Sequence, residues 1–251
     1  MTTPDELEIL RSERFAAAGI AHGFSTRGGG VSTGPLASLN LGGSVGDDPG
    51  AVEENHRRLA RAAGFERGAF RSAVQVHGSR VLVLGADAPI PPGEEADAIL
   101  AAAPGLAVAI RTADCVPILL ADPRTGRVAA VHAGWRGTEA GIAAEAVRAL
   151  AELGSAPSEL IAAIGPAIGP CCYEVSSELA DRFVRLAGPE VVEGRRLDLI
   201  LINRLQLRAA GIPEASIEQV GGCTSCDDSR FFSHRRDAGR TGRHLSFVFS
   251  G

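Results

Sequence analysis

The chain has 251 residues, 45% of them hydrophobic and 22% charged, which is enough to bury a sizeable core and excludes wholesale disorder. Its formal net charge is -5 and all 25 cationic residues are arginine, which argues against a protein built mainly to neutralise nucleic-acid phosphates and excludes lysine chemistry of any kind. No apolar stretch approaches the roughly 20 residues of a membrane span, and Met1-Thr2-Thr3-Pro4-Asp5-Glu6 lacks the basic and apolar regions of a secretory signal, so a cytoplasmic protein is expected.

In chain order, the opening up to Leu41 is glycine-rich and carries Arg27-Gly28-Gly29-Gly30 and Leu39-Asn40-Leu41. Asp48 then reads as an N-cap, with Pro49 at the first position of a helix that runs through Leu59 and stops at Gly64. Short apolar, largely β-branched runs bounded by Gly, Pro and Asp predict strands at 73–76, 80–84, 106–110, 116–121 and 128–131, with a hairpin turn at 122–126. Beyond Gly137, Ala143, Val147 and Leu150 share one helical face, and Gly154 ends that helix. A strand at 160–164, helices at 177–186 and 199–210, and a closing strand at 245–249 complete the pattern. Interleaved strands and helices predict one mixed α/β domain over residues 1–251, with mixed sheets flanked by helices and a site at the strand ends.

Five cysteines are present, Cys115, Cys171, Cys172, Cys223 and Cys226. An odd count in a cytosolic chain argues for thiols or metal ligands rather than a disulfide framework. Three segments set a metal-capable side chain beside glycine or at a strand end: Gln75-Val76-His77-Gly78, Ala113-Asp114-Cys115-Val116-Pro117, and Val131-His132-Ala133-Gly134-Trp135-Arg136-Gly137. Two imidazoles and a thiolate suit zinc or copper, and three protein ligands leave one tetrahedral position open. The intervals match no compact local signature, and taken singly each residue reads more simply as a buried cysteine or a hydrogen-bonded histidine. A Cys115 thiolate with a histidine base would instead make a cysteine hydrolase, and Asp114 could orient a histidine in either scheme.

The other cysteines are given the bland reading. Cys223 and Cys226 form a lone C-x-x-C whose only partner pair is the adjacent Cys171-Cys172, and vicinal cysteines do not easily chelate one tetrahedral ion. Arg27–Gly30 reads either as backbone N–H groups approaching an anion or as a tight turn. The arginines Arg235, Arg236, Arg240 and Arg243 form either a local basic patch or a solvated face, and the string from Phe231 to Asp237 either binds phosphate or carboxylate or acts as a structural clamp.

Taken together, seven strings in order along the chain resemble the laccase-domain family, also called the multicopper polyphenol oxidase or peptidoglycan-editing-factor family. They are His22–Gly30, Leu39–Leu41, Gln75–Gly78, Thr112–Pro117, His132–Gly137, Gly165–Glu174 and Phe231–Asp237. The resemblance implies a catalytic zinc on His77, Cys115 and His132, phosphorolysis of adenosine, inosine and methylthioadenosine, and deamination of adenosine. It also implies, as the alternative, an amidase that removes a misincorporated amino acid from a peptidoglycan precursor by zinc-water or the Cys115 thiolate. On that basis Arg27, Asn40, Arg136 and Arg235 are candidates for binding substrate or phosphate, Asp114 for orienting a ligand, and Glu174 for acid-base work. Copper in the open site is chemically allowed, but six histidines with no His-x-His pair do not furnish a multicopper cluster. The expected partners are a purine nucleoside and phosphate, with no nucleic acid and no membrane, and the expected state is a monomer.

Overall fold

The computed structural model describes residues 6–66, 70–86 and 89–251. The reading of the extreme N-terminus as lacking a signal falls mostly on residues 1–5, outside the described residues. The first third of the chain supplies β1 (Ile9–Leu10), α1 (Glu13–Ala17), β2 (His22–Ser25), α2 (Pro49–Ala63), β3 (Phe70–Arg71) and β4 (Val81–Leu84). Then come β5 (Ala98–Ala101), β6 (Ala107–Thr112), β7 (Val116–Ala121), β8 (Val128–Ala133), α3 (Trp135–Glu139), α4 (Ile142–Glu152) and β9 (Ile161–Ile164). The C-terminal third adds α5 (Ser177–Ala187), the ribbon β10 (Val192–Glu193) and β11 (Arg196–Leu197), α6 (Leu199–Ala209), β12 (Ile217–Gln219) and β13 (His244–Phe249).

Two mixed sheets result, one in the order β1-β2-β13-β6-β3 and one in the order β12-β9-β7-β8-β5-β4. Their inner faces meet through Phe24, Ile99, Val108, Ile110, Leu119, Ala130 and Val248. The outer face of the six-stranded sheet packs Leu100, Ile118, Leu120 and Val131 against Ile142, Val147 and Leu150 of α4 and Ile202 and Leu207 of α6. Opposite, Ala109, Leu245 and Phe247 of the five-stranded sheet cover Leu59 of α2 and the loop residues Leu39 and Leu41. Successive residues of β7 thus enter different cores, so its continuous apolar run, unbroken by polar positions, is buried on both faces. Burying each such Leu or Ile contributes about 1.5–3 kcal/mol before entropy is charged.

Local chemistry sets the boundaries. Asp48 caps α2 by accepting from the Ala51 N–H at 2.8 Å, and Gly64 ends it at φ 81°, where a Cβ would be strained. The 122–126 turn closes with the Gly126 N–H on the Asp122 carbonyl and joins β7 and β8 as an antiparallel pair.

Two expectations are corrected. Residues 73–76 form no strand, only a single parallel bridge from Val74 to Glu95, because the Gln75 side chain and not the backbone pairs with β6. The helix after Gly137 begins earlier, at Trp135, and restarts at Ile142 after Gly141 turns left-handed. No helix among the described residues is long and apolar enough to cross a membrane.

Candidate metal centre and ligand cavity

His132 sits near the end of β8, and the antiparallel partner β5 begins one residue after Asp97. The His132 N–H donates to the Asp97 carbonyl at 2.7 Å, so the ladder brings the two side chains together. Asp97 Oδ1 lies 2.7 Å from His132 Nδ1; a carboxylate only accepts, so Nδ1 carries the proton and Nε2 keeps its lone pair for a ligand. The same carboxylate accepts from the backbone N–H groups of Val76, His77 and Gly78 at 3.2, 2.9 and 2.7 Å. These bonds hold His77 at φ 61°, a left-handed conformation that costs energy for a side chain with a Cβ and that collects at functional sites. Gln75 pins the loop from the other side: its amide donates to the Arg111 carbonyl and accepts the Arg111 N–H, both at 2.7 Å.

Cys115 lies in the tight β6–β7 connection just after Asp114, which is itself left-handed at φ 88°. Its Sγ is 3.9 Å from His77 Nε2, and the ligand atoms of His77, Cys115 and His132 all lie within 4.8 Å of one another. Tetrahedral zinc needs ligand separations of about 3.3–3.6 Å for N and S donors, so small side-chain rotations would seat an ion. Gly134 makes the approach sterically feasible, since a Cβ there would stand 2.8 Å from His77 Cδ2 and 3.0 Å from Cys115 Sγ. Burial opposes ionisation of Cys115, but the charge and hydrogen bonds of His132 and His77 outweigh it and bring the thiol down to about 6. Burial likewise disfavours the His132 imidazolium, and Cys115 with Asp97 outweighs that, raising it to about 9. Both shifts describe a thiolate–imidazolium pair in the metal-free site, and a bound cation would take the place of the His132 Nε2 proton.

The triad opens on a cavity of about 780 Å³, a volume in the range of small-molecule sites. Arg111, Arg136, Arg235 and Arg243 line it, against Asp114 as the single lining carboxylate among the described residues, so the local charge is positive although the whole chain is acidic. The Arg136 guanidinium lies 4.4 Å over the Trp135 ring, and that of Arg235 lies 5.0 Å over Tyr173 while its Nη1 donates to the Glu174 carbonyl at 2.8 Å. His234 and Tyr173 are further titratable groups in the lining.

The structure thus brings His77, Cys115, His132, Asp114, Arg136 and Arg235 to one cavity. Other sequence candidates stand elsewhere. Arg27 directs Nε and Nη2 at the Ala37 carbonyl and Nη1 at the Asp228 carbonyl, outside the cavity lining. Its glycines are packed and not an open anion nest: a Cβ on Gly29 would clash with Leu7 and one on Gly30 with Ser38. Asn40 is buried behind the wall, where Oδ1 accepts from Gly42 and Arg243 N–H groups at 3.0 and 2.9 Å. Glu174 points to solvent and pairs with Arg195.

Asp114 does not orient a histidine. Its oxygens accept from Thr224 Oγ1 at 2.6 Å and the Arg235 N–H at 2.7 Å, which fixes the loop bearing Arg235. The orienting carboxylate is Asp97, which sequence reading passes over. Arg111 is also missed; a charged residue inside the apolar run Ala107–Thr112 is the signal that points to it.

A family model described as multi-copper polyphenol oxidoreductase laccase matches residues 21–250. A protein of Deinococcus radiodurans named purine nucleoside phosphorylase is 43% identical over 252 residues, spanning 99% of this chain and 94% of that protein. One from Geobacillus stearothermophilus, named purine nucleoside phosphorylase YlmD, is 43% identical over 249 residues, spanning 92% and 90%. The crystal structure of the Bacillus licheniformis hypothetical protein YfiH superposes with a TM-score of 0.89 at 35% identity, over 99% of this chain and 98% of that one. With sequence and fold alike along nearly its whole length, the chain belongs to the multi-copper polyphenol oxidoreductase laccase family.

Proposed function

We propose that this protein is a zinc-dependent purine nucleoside phosphorylase that also deaminates adenosine. The observation that carries the reading is a His-Cys-His donor set opening onto a cavity ringed by four arginines, in a chain whose relatives are named purine nucleoside phosphorylases. The donors fit zinc: a thiolate, an imidazole fixed in its tautomer by Asp97 and a second imidazole would hold the ion, and three protein ligands would leave a tetrahedral ion one position for a ligand from the cavity. Bound there, zinc supplies Lewis-acid charge and lowers the pKa of adjacent water.

In phosphorolysis a phosphate oxygen bonds to ribose C1′ as the glycosidic C–N bond breaks. The bond pair leaves with the purine, which takes up a proton at nitrogen. Arg136, Arg235 and Arg243 hold the phosphate in that step, with the guanidiniums of Arg136 and Arg235 fixed over their aromatic seats. Deamination needs an acid-base group beside the metal. Glu174 is too far out on the surface for that part, which leaves His234 and Asp114 among the lining residues. The four-copper centre of a laccase is not supported by the donors. His22 accepts the Ser12 N–H, His56 bonds the Leu41 carbonyl and His244 accepts the Phe232 N–H, each away from the triad.

One observation favours a second reading. The lowered thiol of Cys115 beside a raised His132 is also the ion pair of a cysteine nucleophile, suited to an amidase acting on a peptidoglycan precursor. The five cysteines are free thiols, which fits a reducing compartment, and we place either reaction in the cytoplasm.

Phosphate dependence separates the two. Purified zinc-loaded protein is incubated with inosine, with and without phosphate, and hypoxanthine and ribose 1-phosphate are measured. Strong stimulation by phosphate is expected; cleavage no faster with phosphate than without it overturns the phosphorylase. Activity that survives chelation and is abolished by thiol alkylation would establish the cysteine hydrolase instead.

A further inference from the structure

We propose that Cys171, Cys172, Cys223 and Cys226 form a second metal site, a tetrathiolate that holds a structural zinc ion. The four Sγ atoms lie within 4.8 Å of one another; Cys226 Sγ is 3.4 Å from that of Cys171 and 3.3 Å from that of Cys172. A zinc ion with four Zn–S bonds of about 2.3 Å sets its sulfurs about 3.8 Å apart, in the middle of this range.

Adjacency in sequence does not prevent the vicinal pair from sharing an ion, because the backbone is a helical turn at that point. The N–H groups of Cys172 and Tyr173 both donate to the Gly169 carbonyl at 3.0 Å. In such a turn neighbouring side chains diverge by about 100°, not the near-180° of a strand, so both thiols reach one point. Cys223-x-x-Cys226 folds as the complementary knuckle. The Gly169 N–H donates to Cys223 Sγ at 3.2 Å, which ties this knuckle to the Gly169–Tyr173 turn.

All four positions of a tetrahedral ion would be filled by protein, so the site is structural and takes no substrate. Its place in the fold shows what it secures. The Gly169–Tyr173 turn carries Tyr173 into the cavity wall, and the Cys223 loop carries Thr224, which donates to Asp114. An ion clamping the two turns would brace the wall behind Cys115 without touching the triad. The two sites are chemically separate, so this inference does not depend on which reaction the cavity performs.

Metal content by elemental analysis tests it, on full-length protein purified by gel filtration in zinc-containing buffer under reducing conditions. The expectation is two zinc ions per chain in the wild type, one in Cys115→Ala, and one in the double variant Cys171→Ser/Cys226→Ser. Both substituted cysteines of the double variant are exposed, which spares the core, and circular dichroism verifies its fold. Should that variant fail to fold, cobalt substitution of the wild type gives the answer. The sulfur-to-cobalt charge-transfer intensity should correspond to five thiolates, and to four in Cys115→Ala. Zinc content unchanged in the double variant, cobalt intensity of a single thiolate, or a disulfide among these four cysteines in the purified protein would overturn the proposal.

Discussion

Asp97 and His132 share a 2.7 Å hydrogen bond, and the same carboxylate gathers the backbone of residues 76–78, so one acid positions two of the three metal-capable side chains. Replacing it with asparagine keeps the shape but removes the charge and puts an amide donor against three N–H groups. Asp97→Asn should weaken zinc binding roughly 10–100-fold, the usual cost of losing such an orienting partner. Competitive titration with a chromogenic chelator measures it, and affinity equal to wild type would remove Asp97 from the site.

Gly134 is a steric requirement and not a conformational one. Its φ of -73° and ψ of 173° suit any residue, yet an added Cβ would meet His77 Cδ2 at 2.8 Å and Cys115 Sγ at 3.0 Å. Gly134→Ala should therefore fold normally and bind metal at the triad much more weakly. Unchanged far-ultraviolet circular dichroism with the loss of about one zinc per chain is the expected pair of results.

His244 provides the pH prediction. Burial, with the Arg27 charge nearby, outweighs its backbone hydrogen bonds and lowers the imidazole to about 4, against 6.5 for an ordinary histidine. The neutral ring accepts the Phe232 N–H at 2.8 Å. The unfolded chain takes up this proton as pH falls through about 6.5, while the folded chain resists until about 4, so the stabilisation is complete above 6.5 and is lost on acidification across that window. The amount at stake is about 3 kcal/mol. His244→Gln, which retains an acceptor, should flatten the fall in denaturant midpoint between pH 7 and pH 4. Carboxylates such as Glu218 titrate in both proteins and cancel in the comparison. A variant whose midpoint falls as steeply as the wild type would show that His244 is not the group.

Much of this molecule is legible in its sequence because the signals are local. Asp48, Pro49 and Gly64 bound α2 by capping chemistry, and the apolar run of β7 announces a strand buried on both faces. His77, Cys115 and His132 draw notice through residue type and their places beside glycine or at a strand end, although only the β5–β8 ladder and the β6–β7 turn bring them together. Strand β5 is hard to see: four residues, Ala98–Ala101, alternate in neither polarity nor size because each face meets a different core. Asp97 is hidden for the same reason, since its partners lie twenty and thirty-five residues away and nothing beside it marks the role. The cysteine cluster misleads in the opposite direction, because the expectation that vicinal thiols diverge belongs to extended chain and the backbone there is a helical turn.

Arg27 and Arg136 read alike in the sequence, each an arginine beside glycine, and the structure separates them. Arg27 spends its guanidinium on two main-chain carbonyls, those of Ala37 and Asp228, so it ties the glycine-rich loop to the C-terminal loop. Arg27→Ala should cost about 2 kcal/mol of stability, the order expected for charged hydrogen bonds to carbonyls, and leave the KM for phosphate within a factor of two. Arg136 lies in the cavity wall over Trp135. Its loss should leave the unfolding midpoint and zinc content close to wild type while raising the KM for phosphate roughly tenfold or more, about 1.4 kcal/mol of lost binding. Denaturant unfolding and phosphate titration on both variants give a two-by-two outcome. If Arg27→Ala is the variant that loses phosphate and Arg136→Ala the one that loses stability, the phosphate site lies against the glycine-rich loop and not in the cavity beside the triad.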